Sequence, residues 1–367
     1  MNKKVVFVMS RLGGKGWGGA HKVSAMIANY FATKGYSVTI ISGEKTEIDY
    51  PINDKIDIKY IDVSEKFSSN FIKRKIQRLN SYRKILMNYQ GASIISFTSS
   101  ITLYIYFATL FKRSKFKIIA SERTDPRSEP NNFIMRLVRN HVYSKMNNIV
   151  FQTQDAKDYF NDNIKNKSII IPNPIPESLP HRYVGKRKKE IINYCRLDPQ
   201  KNLQLLIDSF IEFHKMYDDY VLRIFGVGKI EHEIRDYIRK SNASEFINLE
   251  GFSRNIHNII RDASMYVSSS NYEGISNSML EALAIGLPCI CTDCPIGGPR
   301  MYINSYENGI LVPVNDKNAL VDLIVSDFAS VQLLISEMGE LLKGASLEKI
   351  RYKLLPESIF ERWESLL

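Results

Sequence analysis

Short runs of apolar residues alternate with longer amphipathic stretches along most of the chain. Each run is continuously apolar, as in a strand that is buried on both faces of a parallel sheet. The predicted strands are Lys4–Met9, Tyr36–Ser42, Ile56–Val63, Ser93–Phe97, Phe116–Ala120, Ile149–Thr153, Ser168–Ile171, Glu190–Tyr194, Val221–Phe225, Met265–Ser268 and Cys289–Thr292. Helix-period patterns lie between many of them, so this order predicts doubly wound α/β domains.

A stretch rich in proline and basic residues, Pro174–Glu190, separates the pattern into two halves. Such a composition is typical of a linker. The chain has 367 residues, which is enough for two domains of ordinary size. We therefore predict two Rossmann-like domains, at residues 1–175 and 186–352, followed by an amphipathic helix at about 353–367.

The stretch Asn271–Gly298 contains a polar loop, a predicted helix and a strand. Three consecutive good N-caps, Ser276, Asn277 and Ser278, stand at the start of the helix, and Gly286 is placed to end it in a left-handed conformation. The first amides of a helix have no internal partners and carry the positive end of its dipole. This N-terminus therefore predicts an anion site, best suited to phosphate.

Two acids flank this helix N-terminus. Glu273 lies just outside the helix, and Glu281 lies about one turn inside it. A carboxylate in either place can accept hydrogen bonds from sugar or ribose hydroxyls. The alternative is a capped helix with two solvated glutamates, and the spacing alone leaves both hypotheses open.

Two other segments have features of phosphate sites. Gly18 and Gly19 end a glycine-rich loop that opens a helix, although the spacing is neither the dinucleotide fingerprint nor a P-loop, and a mobile loop is the alternative. Arg196 and Lys201 bracket a turn just beyond a strand. Two cations there can neutralise a diphosphate leaving group without a metal ion, or they are simply surface charges near a turn.

The segment EGISNSMLEALAIGLPCICT, which begins at Glu273, resembles the signature of the retaining glycosyltransferase family 4, in which seven residues separate two glutamates. The segments Gly18–Lys22 and Gly226–Gly228, and the spacing of Arg196 and Lys201, are similar to the same family. The resemblance implies the GT-B fold, in which two doubly wound Rossmann-like domains face a central cleft. It also implies that the C-terminal helix packs back on the first domain.

The resemblance further implies roles for individual residues. Glu281 is expected to bind the nucleotide ribose, and Glu273 to lie beside the transferred sugar. Arg196 and Lys201 are expected to hold the diphosphate and to act in catalysis with Glu273. The other donor-binding positions that the resemblance implies are Gly18, Gly19, Gly226, Gly274, Ile275, Ser276, Asn277 and Ser278.

The acceptor side is less well defined. Ser99, Glu122 and Arg123 follow predicted strands of the first half, at the sheet edge where α/β enzymes hold their ligands. Many members of the family carry a histidine in this region, whereas this chain has Glu122–Arg123. Arg123 is interpreted as a ligand of a phosphate or an acceptor group, or else as the ion-pair partner of Glu122.

The formal net charge of +11 bears on the partners of the chain. No nucleic-acid motif accompanies it, so nucleic acid is not expected as a partner. The basic residues between Lys73 and Lys84 are mixed with apolar ones, which fits a helix lying on an anionic membrane; the alternative is a solvated basic face. Because neither a signal peptide nor a membrane-spanning run is visible, we expect a cytoplasmic protein, peripheral on the inner membrane face.

Three cysteines, Cys289, Cys291 and Cys294, form a C-x-C-x-x-C pattern. A zinc or iron–sulfur site would need a fourth ligand, and no histidine is nearby in the sequence. Small core residues in a reducing compartment are the favoured interpretation. Neither a metal ion nor another cofactor is expected, since the predicted cations already neutralise the leaving group.

The resemblance and these features together imply a retaining, metal-independent hexosyltransferase. It is expected to move a hexose or N-acetylhexosamine from a UDP-sugar to a hydroxyl of an oligosaccharide, one linked to a lipid diphosphate, in capsule, O-antigen or glycan assembly. The alternative is a non-catalytic partner subunit of the same fold that binds a nucleotide sugar or another transferase.

Overall fold

The structure is a computed structural model that describes residues 3–13, 19–48, 50–61, 70–305, 307–320 and 352–367. The chain divides into two units. The first unit comprises Met1–Pro172 together with Glu357–Leu367, and the second comprises Asn173–Pro356.

Thirteen strands are present in the described residues. In chain order they are β1 Lys4–Met9, β2 Ser37–Ser42, β3 Asp57–Tyr60, β4 Ser93–Ser96, β5 Lys117–Ser121, β6 Asn148–Phe151, β7 Ser168–Ile170, β8 Lys188–Tyr194, β9 Val221–Phe225, β10 Ile247–Gly251, β11 Ala263–Ser268, β12 Cys289–Thr292 and β13 Gly309–Val312.

The helices of the described residues lie mostly between these strands. In chain order they are α1 Gly19–Thr33, α2 Phe71–Leu86, α3 Ser99–Thr109, α4 Phe133–Tyr143, α5 Gln154–Asp158, α6 Asp162–Lys165, α7 Leu203–His214, α8 Glu231–Lys240, α9 Ile256–Ile260, α10 Asn277–Ala284 and α11 Pro356–Glu364. Short 3-10 turns are at Met87–Tyr89, Leu110–Lys115, Pro199–Lys201 and Pro299–Met301.

The first unit is built on a seven-stranded parallel sheet in the order β3-β2-β1-β4-β5-β6-β7. Helix α1 and the C-terminal helix α11 share a core with β1 and β2. In that core Trp363 is fully buried and stacks on Phe97, with ring centroids 5.1 Å apart. Helix α2 packs beside α3, and α3 packs beside α4.

The second unit is built on a six-stranded parallel sheet in the order β10-β9-β8-β11-β12-β13. Met265 and Val267 of β11 pack in one core with α7 and α8, whereas Tyr266 between them packs with α10 in a second core. Successive residues of a strand point to opposite faces, so the two cores lie on opposite sides of the sheet.

The predicted doubly wound α/β architecture is confirmed in both units. The edge strand β3 is shorter than predicted, since its pairing with β2 ends at Tyr60 and residues 62 and 63 lie outside the described residues. Gly286 has a φ of +78° and follows α10, so the predicted left-handed end of that helix is also confirmed.

Candidate active site

Four loops meet at the carboxyl edge of the second sheet, after β8, β9, β11 and β12. Two glycines allow their backbones to approach closely. A Cβ on Gly226 would lie 1.8 Å from the carbonyl oxygen of Cys195, and a Cβ on Gly298 would lie 1.7 Å from that of Gly274. A side chain at either position would collide with backbone, so these loops pack backbone to backbone because glycine stands there.

Glu273 lies within this group of loops and is 8% exposed. Its Oε1 accepts a hydrogen bond from Ser270 Oγ at 2.9 Å and forms a short ion pair with Lys201. Gln200 Nε2 donates to Oε2 at 3.4 Å. The carboxylate is therefore held by donors from two different loops, which fixes its orientation.

The same contact stabilises the ammonium group of Lys201. Burial opposes its charge, but the attraction of Glu273 outweighs burial, so the pKa of Lys201 is raised above its usual 10.5. Ser269 Oγ donates to the carbonyl oxygens of Lys201 (2.9 Å) and Asn202 (3.0 Å), which fixes the backbone at this point. Lys201 therefore remains a cation throughout the neutral pH range.

Helix α10 begins beside these loops. Ser276 is its N-cap, because its Oγ accepts from the backbone N of Met279 at 3.4 Å. Ser278 in the first turn accepts a hydrogen bond on its carbonyl oxygen from Tyr194 Oη at 2.6 Å, and its Oγ lies 3.0 Å from Tyr266 Oη. These contacts anchor the helix N-terminus, whose first amides have no acceptor within the helix.

Glu281 is buried in α10, one turn beyond this N-terminus. Its Oε2 lies 2.8 Å from Nε2 of His257, which belongs to α9. The imidazole of His257 also meets the ring of Tyr194 edge-on, with centroids 6.3 Å apart. One carboxylate oxygen of Glu281, the residue predicted to bind the ribose, is thus held by a histidine from a separate helix.

Arg196 differs in its surroundings from Lys201. Its side chain is 38% exposed, and its Nε lies 3.7 Å from Oδ2 of Asp198, which also pairs with Lys229 at 3.3 Å. Among the described residues, Nε of Arg196 has no hydrogen-bond acceptor. The two cations of the predicted diphosphate site therefore share one turn, but only Lys201 is committed to a buried ion pair.

The predicted acceptor-side residues lie in the first unit. Ser99 opens α3 after β4, and Glu122 follows β5. Glu122 is buried, its Oε2 lies 3.8 Å from Nη1 of Arg139, and it accepts from Tyr143 Oη at 3.1 Å. Burial raises the pKa of Glu122 to about 7, and Arg139 and Tyr143 offset this effect only in part.

Arg123 packs on aromatic rings. Its Cζ lies 4.6 Å from the ring centroid of Phe97 and 5.4 Å from that of Trp363. Burial lowers the pKa of Arg123 to about 9, against the opposing attraction of Glu122. The Glu122 carboxylate also contacts Arg139 and Tyr143, so it is not a partner of Arg123 alone.

Two further predicted features have different outcomes. Gly18 lies outside the described residues, and Gly19 is the first residue of α1.

Cys289, Cys291 and Cys294 are buried free thiols, and in the described ranges no three His, Cys, Asp or Glu side chains are grouped to hold a metal ion. Burial raises the pKa of Cys294 to about 12, as expected for a thiol in a core.

Sequence reasoning missed several residues that hold the predicted ones in place. Gln200 and Ser270 contact Glu273, and His257 contacts Glu281. Asn173 Nδ2 donates to Asn277 Oδ1 at 2.6 Å, at the start of α10. Gln200 could have been noticed, since it lies in the same turn as Lys201, but no sequence spacing relates His257 to Glu281.

Two family models match the chain, one in each half. The model of glycosyl transferases group 1 matches residues 180–326, and the model of glycosyl transferase 4-like proteins matches residues 19–153. The first match contains all of the loops that surround Glu273.

Individual relatives agree with these models. An N-acetylgalactosamine-N,N'-diacetylbacillosaminyl-diphospho-undecaprenol 4-alpha-N-acetylgalactosaminyltransferase of Campylobacter jejuni is 25% identical, over 87% of this chain and 88% of its own. The amylovoran biosynthesis glycosyltransferase AmsD of Erwinia amylovora is 23% identical, over 95% and 96%. Among solved structures, this chain superimposes on Staphylococcus aureus TarM with a TM-score of 0.79, over 99% of both chains at 14% identity. That structure is a complex with fondaparinux, alpha-GlcNAc-glycerol and UDP.

No helix in the described part of the chain is long and apolar enough to span a bilayer.

Proposed function

Because this chain belongs to the group 1 glycosyltransferases of the GT-B fold, we propose that it transfers a hexose or N-acetylhexosamine from a UDP-sugar to an acceptor hydroxyl with retention of anomeric configuration. Support for a UDP donor comes from TarM, whose structure contains UDP. Support for a lipid-diphosphate-linked acceptor comes from the name of the Campylobacter relative, and support for polysaccharide assembly from that of AmsD.

The observation that carries the proposal is the buried ion pair of Lys201 and Glu273 beside the N-terminus of α10. A cation, a fixed carboxylate and a helix N-terminus whose first amides have no acceptor within the helix are together suited to a sugar diphosphate. The amides and Lys201 attract the phosphates, and the carboxylate accepts hydrogen bonds from sugar hydroxyls.

The proposed roles follow from these surroundings. Lys201, Arg196 and the amides of Ile275–Ser278 hold the diphosphate and stabilise the charge that develops on it in the transition state. Glu281, oriented by His257, accepts hydrogen bonds from the ribose hydroxyls. Glu273 orients the transferred sugar.

The proposed step is an attack from the front face. The acceptor hydroxyl oxygen forms a bond to the anomeric carbon, while the bond from that carbon to the β-phosphate oxygen breaks and its electron pair stays on UDP. The hydroxyl proton passes to the same phosphate oxygen. Both groups lie on one face of the sugar, so the configuration is retained, and the cations make a metal ion unnecessary.

Helix α2 supports a further part of the proposal, contact with an anionic membrane. It carries six Lys or Arg residues and no acid over Phe71–Leu86. A lipid-linked acceptor is confined to a membrane, and cations near an anionic surface are attracted to it by about 1 kcal/mol each. We therefore place the reaction at the inner membrane face.

The proposal is tested with a panel of UDP- and GDP-sugars, in which hydrolysis and protection against thermal unfolding are measured. One UDP-sugar is expected to raise the unfolding temperature and to be hydrolysed slowly, also in the presence of a chelator. Glu281→Ala should lose the protection, and Glu273→Gln should lose hydrolysis while protection by UDP remains. Glu233→Gln, at an exposed acid of α8, is the matched control.

Two outcomes would contradict the proposal. Donor binding without turnover, even with lipid-linked acceptors present, would instead favour a non-catalytic partner subunit. A product whose anomeric proton coupling shows inversion would reject the front-face step, although the donor site would stand.

A further inference from the structure

Large apolar side chains are exposed on two neighbouring helices of the first unit. They are Phe107 near the end of α3, Leu110 and Phe111 in the 3-10 turn that follows α3, and Phe133, Ile134 and Leu137 on α4. Phe111 is 82% exposed and Ile134 is 67% exposed. Single exposed apolar residues are ordinary on protein surfaces, but grouped ones indicate a surface that is covered by something else.

An apolar groove of about 440 Å³ lies between these helices. It is lined by Tyr106, Phe107, Leu110, Leu137, Val138, His141 and Val142. Ile134, Leu137 and His141 are three and four residues apart, so they share one face of α4 and extend the apolar surface by a turn.

Cations flank the groove. Cζ of Arg113 lies 5.3 Å from the ring centroid of Tyr106, and Cζ of Arg83, in the last turn of α2, lies 5.8 Å from that of Phe111. The ring of Phe111 is exposed, whereas that of Tyr106 is buried. An arginine that lies against an aromatic ring at the surface has one face covered by the ring and its charge available to an anion. The groove therefore combines an apolar floor with a cationic rim.

We propose that Phe111 and the exposed apolar side chains along the groove insert into the hydrocarbon of an anionic lipid leaflet. Arg83 and Arg113 would then lie against the lipid phosphates. Charge decides between possible occupants. A second copy of this chain would bring the same cationic rim against this one, whereas an anionic leaflet offers hydrocarbon and negative charge together. This hydrophobic anchor goes beyond the attraction proposed for α2, and it does not depend on the transfer reaction.

The proposal separates membrane binding into two parts. The part due to cations weakens as salt screens the charges, because the Debye length falls to about 3 Å at 1 M salt. The part due to buried apolar side chains is not screened. The hydrophobic anchor should therefore account for the binding that remains at high salt.

Sedimentation with vesicles tests this separation in the full chain. The vesicles contain phosphatidylcholine, either alone or with phosphatidylglycerol, and binding is measured at low salt and at about 1 M salt. In the double variant Leu110→Ser, Phe111→Ser, the affinity for the mixed vesicles at high salt should fall by roughly tenfold or more. Phe252→Ser, at an exposed phenylalanine of the second unit, should lose none.

A second variant keeps the test decisive. Replacing Lys73, Arg74 and Lys75 by Gln should reduce binding at low salt and leave the high-salt part unchanged. High-salt binding of the double serine variant equal to that of wild type would overturn the proposal. A dimer that becomes a monomer in that variant, with vesicle binding unchanged, would instead assign the groove to a second copy. Hydrolysis of the UDP-sugar in solution should remain at the wild-type rate in both variants.

Discussion

The two units share the order of their central strands but use buried charge differently. In the second unit Glu273 and Lys201 come from two loops at the carboxyl edge of the sheet, and Ser270 and Gln200 from the same loops complete their contacts. In the first unit, Glu122 follows β5, and its partners Arg139 and Tyr143 belong to the helix α4.

This difference shows how one topology supports two tasks. Loops that bind each other through buried charge form a pre-organised site, because the carboxylate and the ammonium are already desolvated and oriented. An acid that is tied to a helix stabilises the unit and leaves the loops around it independent. The fold supplies the edge in both units, but the side chains on the loops decide whether a reaction can occur there.

The largest effect is expected from breaking the loop-to-loop pair. Lys201→Met should lower kcat by about 10²–10³, because a cation at the diphosphate is lost. It should also lower the free energy of unfolding by roughly 3 kcal/mol, because Glu273 is left as a buried charge without its ion-pair partner. Steady-state kinetics and denaturant unfolding measure the two effects.

The double variant Lys201→Met, Glu273→Gln separates stability from function. It removes the uncompensated charge and keeps hydrogen-bond acceptors, so it should recover at least half of the lost stability. Transfer should stay as low as in Lys201→Met. If the single variant Lys201→Met keeps kcat within tenfold of wild type, Lys201 does not act on the leaving group.

A smaller effect, on stability alone, is expected at the acid of the first unit. The folded protein retains a proton on Glu122 up to about pH 7, whereas an unfolded glutamate loses it near pH 4.5. Stability from this group is therefore complete below pH 4.5 and is lost as the pH rises to about 7. The shift corresponds to roughly 3 kcal/mol of unfolding free energy at most.

Glu122→Gln tests this assignment, because the amide carries no charge at any of these pH values. In denaturant unfolding at a series of pH values, we expect the stability of the wild type to fall between pH 5 and 7, and the stability of the variant to lack this fall. The KM for the UDP-sugar and its rate of hydrolysis should be unchanged. A variant that stops hydrolysis would move Glu122 from a stabilising role into the reaction.

A roughly tenfold effect on the KM for the donor is expected from His257, which belongs to the helix α9 and not to the loops around Glu273. His257→Ala should raise the KM for the donor and leave kcat within about twofold, because Glu281 loses the group that orients it. The preference for UDP over 2'-deoxy-UDP as an inhibitor should fall as well. His232→Ala, at an exposed histidine of α8, should change neither quantity. An unchanged preference would contradict the positioning role.

The sequence indicated most of the two sheets, because continuous apolar runs are typical of buried parallel strands, and each of the eleven predicted strands was found within a few residues of its predicted place. The two edge strands of the second sheet, β10 and β13, lie outside those runs. The sequence also indicated the start of α10, where Ser276 proved to be the cap. It did not indicate the partners of the acids. Arg139 is 17 residues from Glu122, and His257 is 24 residues from Glu281. Such contacts depend on how helices and loops pack, which no local pattern specifies.

The smallest effect is expected at the thiols that lie among the same loops as Glu273. Cys294 is buried, and burial raises its pKa to about 12, so very little reactive thiolate is present near pH 8. We expect Cys294→Ala to transfer sugar within about twofold of wild type, since the thiol acts only in packing. A thiol reagent should modify Cys294 in the folded wild type only as fast as the second unit unfolds. Rapid modification that stops transfer, or zinc retained by the purified protein and lost in the variant, would show that the loops around Glu273 use the thiols in their chemistry. The second unit would then differ from the first in the reactivity of its thiols as well as in its use of buried charge.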